Sequence, residues 1–316
     1  MSAAVTSTSL ERVGAYVPPR WVSVEEVAHD LGLSKYAARM FRKFHGLDRL
    51  HDDPESTVFD LVAAAAQEAL RGMPDRSAVR YLLYAHTIPD VAPVAFDAAR
   101  VIADRLGLSG ADAFAVTQQN CASGLAAIDI AGELLRADGD PAARALVLTG
   151  EKSFTPVTRF IADTTIMGEA SAACLVSVGG GRNRVRSYAA RSRGEFADGI
   201  RLAPDLLKDF NESYAEDLIS IVEEAVGGAG LRMADIDLVV PHNVNKLLWL
   251  RIIARLGLDP QRIYLDTIAE YSHCWCSDPL LNLVSLEAAG RLVPGGHYLL
   301  TSVGLGSTYA AMVIEH

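Results

Sequence analysis

Cys121 stands where Val116-Thr117-Gln118-Gln119-Asn120 gives way to the small, apolar run Ala122-Ser123-Gly124-Leu125-Ala126-Ala127-Ile128, a pattern that reads as a strand turning into a helix. A helix start carries unpaired N–H groups and a partial positive charge, and both stabilise a thiolate. Cys121 is thus either a nucleophile or a small buried hydrophobe that packs the helix on a sheet. His242 follows the apolar strand Leu238 to Val240 through Pro241, at the strand end where α/β proteins place their chemistry. His273, in Tyr271-Ser272-His273-Cys274-Trp275-Cys276-Ser277-Asp278, precedes a helix-like run from Pro279 to Ala289. One thiol and two imidazoles at such corners together favour nucleophilic catalysis over a structural role. Asp278 either orients one of the histidines as a third member of the set or, with Ser277, caps the helix that Pro279 opens; capping is the favoured reading.

The elements that must position these residues alternate. Strands are expected at Arg80 to His86, Ala113 to Thr117, Ala145 to Thr149 and Ala172 to Val178, with helices over Pro93 to Leu106 and Ala122 to Arg136. Gly179-Gly180-Gly181, followed by Arg182, Arg184 and Arg186, breaks the pattern, and the chain divides there into an N-terminal half, 1–180, with the cysteine and a C-terminal half, 181–316, with both histidines. Beyond the break come a helix Tyr214 to Val226, a strand Leu238 to Val240, a helix Leu247 to Leu256, the His273 to Leu292 corner and helix, and a strand Tyr298 to Ser302. Cys121, helix and strand in one half match His273, helix and strand in the other, an internal duplication that would bring nucleophile and base together at the seam.

The 316 residues are 50% hydrophobic and 22% charged, with a mean hydropathy of +0.18, enough apolar material for a large core. A net charge of −10 and a pI near 5.3 argue against nucleic-acid or anionic-membrane partners, which need a positive field. No apolar run approaches the ~18 residues of a membrane span. The cysteines, at 121, 174, 274 and 276, form no framework of spaced pairs, and no signal-peptide core follows the start, so a cytoplasmic location is expected. His273-Cys274-Trp275-Cys276 lacks a distant ligand pair at metal-site spacing, and no metal is expected. Cys174 reads as core, and Arg39, Arg42, Lys43 and Arg49 as either the frame of a substrate-tunnel mouth or, the favoured reading, a solvated helix.

In order and spacing, the Cys121 elbow, Gly168-Glu169-Ala170-Ser171-Ala172, Pro241-His242-Asn243-Val244-Asn245, Tyr271-Ser272-His273 and Gly304-Leu305-Gly306-Ser307-Thr308 resemble the thiolase superfamily and, within it, the ketoacyl-ACP synthase III family. The resemblance implies an α/β fold of the thiolase-like five-layer αβαβα type in two pseudo-duplicated halves, a homodimer, and a cysteine acylated by a thioester. It implies Cys121 as nucleophile, His242 and His273 as the pair that handles the second substrate, Asn245 as an orienting neighbour of His242, and the backbone N–H groups of Cys121 and the Leu305-Gly306 turn as the oxyanion hole. Glu169 reads as a buried carboxylate that stabilises its turn. No cofactor is implied; the substrate is an acyl-CoA or a phosphopantetheine-linked acyl thioester, and the partner an acyl carrier protein or a coenzyme A thioester.

The family usually carries Asn where His273 stands. An imidazole that donates a hydrogen bond there keeps decarboxylative Claisen condensation with a malonyl-type, carrier-bound extender, as in natural-product or fatty-acid biosynthesis. An imidazole that acts as base gives the alternative, a non-decarboxylating acyltransferase that forms an ester or amide on a natural-product acceptor. Met40, Phe44 and Ile161 fill positions where the family carries the Trp and Arg residues of its coenzyme A site, so loading from a carrier protein is expected at least as much. Lys246, Arg251 and Arg255 form either a landing patch for an acidic carrier protein or a solvated helix face.

Overall fold

Strands of this chain bury alternate residues in two different cores, because successive side chains of a strand point to opposite faces. The computed structural model describes residues 7–89, 91–93 and 96–316. Among them, nine strands form one sheet: β1 Thr8–Tyr16, β2 Val79–Ala85, β3 Asp112–Val116, β4 Arg144–Gly150, β5 Ser171–Val178, β6 Arg184–Ser192, β7 Leu238–Pro241, β8 His297–Gly304 and β9 Thr308–Glu315. Their order is β7-β8-β9-β6-β1-β5-β4-β2-β3. From the β1–β6 junction outward, each wing runs through two antiparallel pairings and then turns parallel: β1–β5, β5–β4 and β4–β2 in one, β6–β9, β9–β8 and β8–β7 in the other. The Gly179–Asn183 link leaves β1–β5 before residue 180 and β6–β9 after it.

Six helices cover and separate the wings: α1 Val58–Ala69, α2 Ala98–Arg105, α3 Ser123–Asp138, α4 Pro204–Gly228, α5 Lys246–Arg255 and α6 Asp278–Ala288. Leu82, Tyr84, Leu146 and Leu148 face α1 and α2 in one core. Their neighbours Leu83 and Val147 join Val240 and Leu300 of the other wing around α3 and α6 in a central core. Val239 and Leu299 face α4 and α5 in a third. The layers therefore run αβαβα, with α3 and α6 enclosed between two sheet faces. This is why both helices carry near-continuous apolar runs: each has apolar neighbours on most sides.

Most elements lie where the sequence pattern predicts them. The helix expected from Pro93 begins at Ala98, where the Asp97 carboxylate accepts from Arg100 N–H at 3.0 Å; residues 94 and 95 of the expected span lie outside the described residues. The helix expected from His273 begins at Asp278, after a 3₁₀ turn Trp275–Ser277. Four elements carried no usable signal. A register shift at Leu10/Arg12 interrupts the alternation of β1, exposed Arg186 and Arg191 make β6 look like a basic loop, and β9 and α1 are apolar on nearly every side.

Candidate active site

The Cys121 corner is built by a backbone that L-residues rarely adopt. Gln118 (φ 76°) and Asn120 (φ 49°) turn the chain from β3 into a 3₁₀ turn, Asn120–Ala122, which leads into α3. Ser272 (φ 55°) and Trp275 (φ 57°) flank His273, and Ser307 (φ 63°) follows the Leu305-Gly306 turn. Left-handed non-glycine residues cost of order 1–3 kcal/mol each and persist where surrounding structure enforces them. Here they cluster on the loops that the sequence singles out for chemistry.

Two glycines let these loops touch. A Cβ on Gly124 would meet the Cys276 carbonyl oxygen at 2.7 Å, so the start of α3 rests directly on the turn that leads into α6. A Cβ on Gly304 would collide with the Gln119 carbonyl, and the Asn120 side-chain amide donates to the Leu305 carbonyl. Ser302 Oγ donates to the Cys121 carbonyl at 2.7 Å. The cysteine elbow, the His273 turn and the Gly304–Thr308 turn thereby form one unit.

Within it, Cys121 is 5% exposed and its Sγ lies 3.3 Å from His273 Nε2. His273 Nδ1 donates to Asp278 Oδ2 at 2.5 Å. Asp278 is fully buried, and its other contacts are the N–H groups of Asn243 (2.5 Å, to Oδ2) and Cys274 (2.7 Å, to Oδ1). Burial works against a charged His273, but the Asp278 carboxylate and the Cys121 sulfur outweigh it and raise its pKa to about 10. The carboxylate therefore does not cap α6; Ser277 offers no side-chain cap either. Its oxygens are spent on the histidine and two backbone amides, which corrects the capping reading.

The His242 ring stands beside that of His273, with centroids 5.7 Å apart, and packs edge-on against Trp249, whose Nε1 donates to the His242 carbonyl at 2.8 Å. Neither ring nitrogen of His242 has a hydrogen-bond partner among the described residues. Burial, then the charge of His273, holds its pKa well below 6.5, so the ring is neutral. Asn245 does not orient it. Its Oδ1 accepts from Leu248 N–H at 2.8 Å, making it the N-cap of α5, and its amide reaches the Thr164 carbonyl at 3.4 Å. The residues that fix the His242 segment are ones the sequence reading passed over. Asn282 donates to the Pro241 carbonyl (2.7 Å) and to Asn243 Oδ1 (2.9 Å), while the Asn243 amide reaches Thr267 Oγ1 (3.2 Å). An asparagine inside the apolar run of α6 was the available signal, since a buried amide there needs partners.

Lys246, Arg251 and Arg255 are exposed on α5, and Arg255 is drawn to Glu216 at 3.2 Å. Arg42 and Arg49 are ion-paired with Glu25 and Asp48, and with Glu270, while Arg39 is exposed. Buried Glu169 accepts from Lys152 at 2.9 Å and from the Asp53 amide at 3.1 Å, tying down its turn. Cys174 lies in the central core. A surface groove of about 320 Å³ is lined by Arg20, Phe154, Pro156 and Arg159 among others; Cys121 is not part of its lining.

Known proteins share this arrangement of elements. Residues 227–316 match the 3-oxoacyl-[acyl-carrier-protein (ACP)] synthase III C-terminal family. The beta-ketoacyl-[acyl-carrier-protein] synthase III of Rhodospirillum rubrum is 28% identical over 276 residues, covering 81% of this chain and 83% of its own. Synthase III 2 of Streptomyces coelicolor is 27% identical over 312 residues, covering 96% and 92%. Among solved structures, the acyltransferase ChlB3 superposes with a TM-score of 0.84 at 23% identity, covering 98% of this chain and 97% of its own. The 3-oxoacyl-(acyl carrier protein) synthase III of Pseudomonas aeruginosa gives 0.81 at 21%, with 98% of both chains covered. The five layers, the C-terminal match and the relatives that run along most of the chain agree: residues 227–316 match the synthase III C-terminal family, and the chain as a whole has the fold of the ketoacyl-ACP synthase III enzymes it resembles.

Proposed function

We propose that this enzyme passes an acyl group from a thioester through Cys121 to a hydroxyl, amine or thiol acceptor, without decarboxylation. The observation that carries the reading is the unbroken line Cys121 Sγ, His273 Nε2, His273 Nδ1, Asp278 Oδ2, at 3.3 and 2.5 Å. A histidine that only donates a hydrogen bond needs no carboxylate behind it; one that must accept a proton and carry the charge does. In the first half-reaction the Cys121 thiolate attacks the donor carbonyl, a carbon–sulfur bond forms, and the departing thiolate takes the proton from His273. In the second, the acceptor gives its proton to His273 Nε2 as it attacks, the bond to Cys121 breaks, and the thiolate returns beside an imidazolium. Backbone N–H groups of Cys121 and of the Leu305-Gly306 turn receive the oxyanion, and the free His242 ring donates to a substrate carbonyl.

A second reading, decarboxylative condensation with a malonyl thioester, is favoured by the adjacent imidazoles, since two N–H donors on one thioester oxygen stabilise an enolate. Incubation with acyl-coenzyme A and acyl-carrier donors separates the two. We expect an acyl adduct on Cys121, absent in Cys121→Ala, that small alcohols or amines discharge. Release of carbon dioxide from a malonyl thioester, coupled to loss of the adduct, would instead establish condensation.

The donor is an acyl-coenzyme A or a carrier-bound acyl chain. The exposed cations Lys246 and Arg251 on α5 would receive an acidic carrier protein. We further propose two duplicated halves, 1–180 and 181–316, on the mirrored strand order, and a homodimer through β3. That strand has a neighbour on one side only, and Phe114 on it is 36% exposed.

A further inference from the structure

Behind the nucleophile lies a carboxyl group that the acyl-transfer mechanism above does not use. Glu151 follows the last residue of β4 and is fully buried, yet among the described residues it enters no ion pair. Its neighbour Lys152 turns instead to Glu169. Glu151 Oε1 accepts from Ile88 N–H at 2.5 Å, and the neighbouring Thr87 amide and hydroxyl act on the carboxylate so as to lower its pKa. His86 Nδ1 holds the Ile88 carbonyl at 2.7 Å. The three-residue loop after β2 is thus pinned at two points, and its middle side chain is aimed: Thr87 Oγ1 lies 4.0 Å from Cys121 Sγ, the outer reach of an O–H···S contact.

We propose that the Thr87 hydroxyl is a second hydrogen-bond donor to the Cys121 sulfur, independent of His273, and that Glu151 is the positioning residue that sets its direction. A hydroxyl has one proton. When Glu151 is protonated, its O–H donates to Thr87 Oγ1 and the Thr87 proton is free for the thiolate. When Glu151 is ionised, it accepts that proton, and a second negative charge stands near the sulfur. Between the two states Glu151 gives up one proton to solvent and the Thr87 hydroxyl rotates. Among the described residues, Tyr84 on β2, with the His86 ring 4.9 Å from its own, Cys276 on the turn before α6, with Sγ at 3.9 Å, and His273 beyond it face Glu151. The Cys276 thiol is committed to the Ala85 carbonyl at 3.3 Å. Burial, set against its hydrogen bonds and the charge of His273, raises the Glu151 pKa to about 7.

The inference concerns the same sulfur as the acyl-transfer reading but not the fate of the acyl group, so the test reads the sulfur alone. Alkylation of Cys121 by iodoacetamide, followed by intact-mass spectrometry from pH 6 to 9, is compared for the wild type, Thr87→Val, Thr87→Ser and Glu151→Gln. A hydrogen bond to a charged group is worth about tenfold or more in the thiolate population. Thr87→Val should slow alkylation near neutral pH by that amount, and Thr87→Ser should restore it. Glu151→Gln, whose amide donates to Thr87 at every pH, should remove the inflection near neutrality. A Thr87→Val rate within about twofold of wild type overturns the proposal, as does a loss that serine fails to restore, because the methyl packing would then be responsible. Should Glu151→Gln fail to fold, the valine and serine pair decides. Failure of acyl transfer with these alkylation differences intact would overturn the functional reading and leave this one standing.

Discussion

At the scale of single residues, burying an aspartate completely costs several kcal/mol unless donors meet both oxygens, and Asp278 has the His273 ring and the amides of Asn243 and Cys274. The same hydrogen bonds that make the carboxylate tolerable fix the His273 tautomer and hold its Nε2 toward sulfur. Asp278→Asn should therefore leave the fold in place but lower turnover by about ten-thousandfold, the order seen when such a carboxylate is lost; steady-state rates with matched circular dichroism check it. The pair also sets a pH dependence of stability. The His273 pKa is raised from 6.5 to about 10, so its stabilisation is complete below pH 6.5 and is lost as pH rises through about 10. Denaturant midpoints across that window should fall in the wild type and lose this slope in Asp278→Asn. Cys121, His242 and His273 were legible as residue types at strand-to-helix corners. Asp278 was legible too, but Asp-Pro ahead of a helix fits a cap equally well, and only the position of the carboxylate relative to the imidazole separates the roles.

Among the elements, the helices that follow Cys121 and His273 are the two that the sheet encloses, and their contact sets the distance between sulfur and imidazole. Leu281 and Leu286 of α6 and Leu125 and Ile128 of α3 share the central core with both wings. The capping side chains sit outside this layer and act locally. Asn245→Ala should cost about 1 kcal/mol of stability, the usual worth of an N-cap, with turnover per folded molecule unchanged. Chemical denaturation and kcat together check this, and a fall in kcat larger than the unfolded fraction would return Asn245 to the site. The Asn282–Asn243–Thr267 network, by contrast, escaped notice. A polar residue in an apolar helix announces a partner but not which one, and the partners come from segments far apart in the chain.

For the whole molecule, the mirrored wings leave β3 at the sheet edge with Phe114 in solvent, and a row of unpaired backbone groups there is a template for a second copy. Phe114→Glu should halve the mass measured by light scattering; an unchanged mass would place the interface elsewhere. Cooperation between the halves shows what could be read in advance. Hydrophobic periodicity exposed the alternating strands and helices, because it depends on neighbours along the chain. The resemblance of ordered motifs supplied the five layers. By itself, then, the sequence determined the layers, the reactive corners and the acidic surface. The tertiary structure decided that His273 rather than His242 touches the sulfur, that Asp278 backs it, and that Thr87 and Glu151 stand behind Cys121. These are distances between residues remote in sequence, and they are set by how α3 and α6 pack between the wings, which no local pattern encodes.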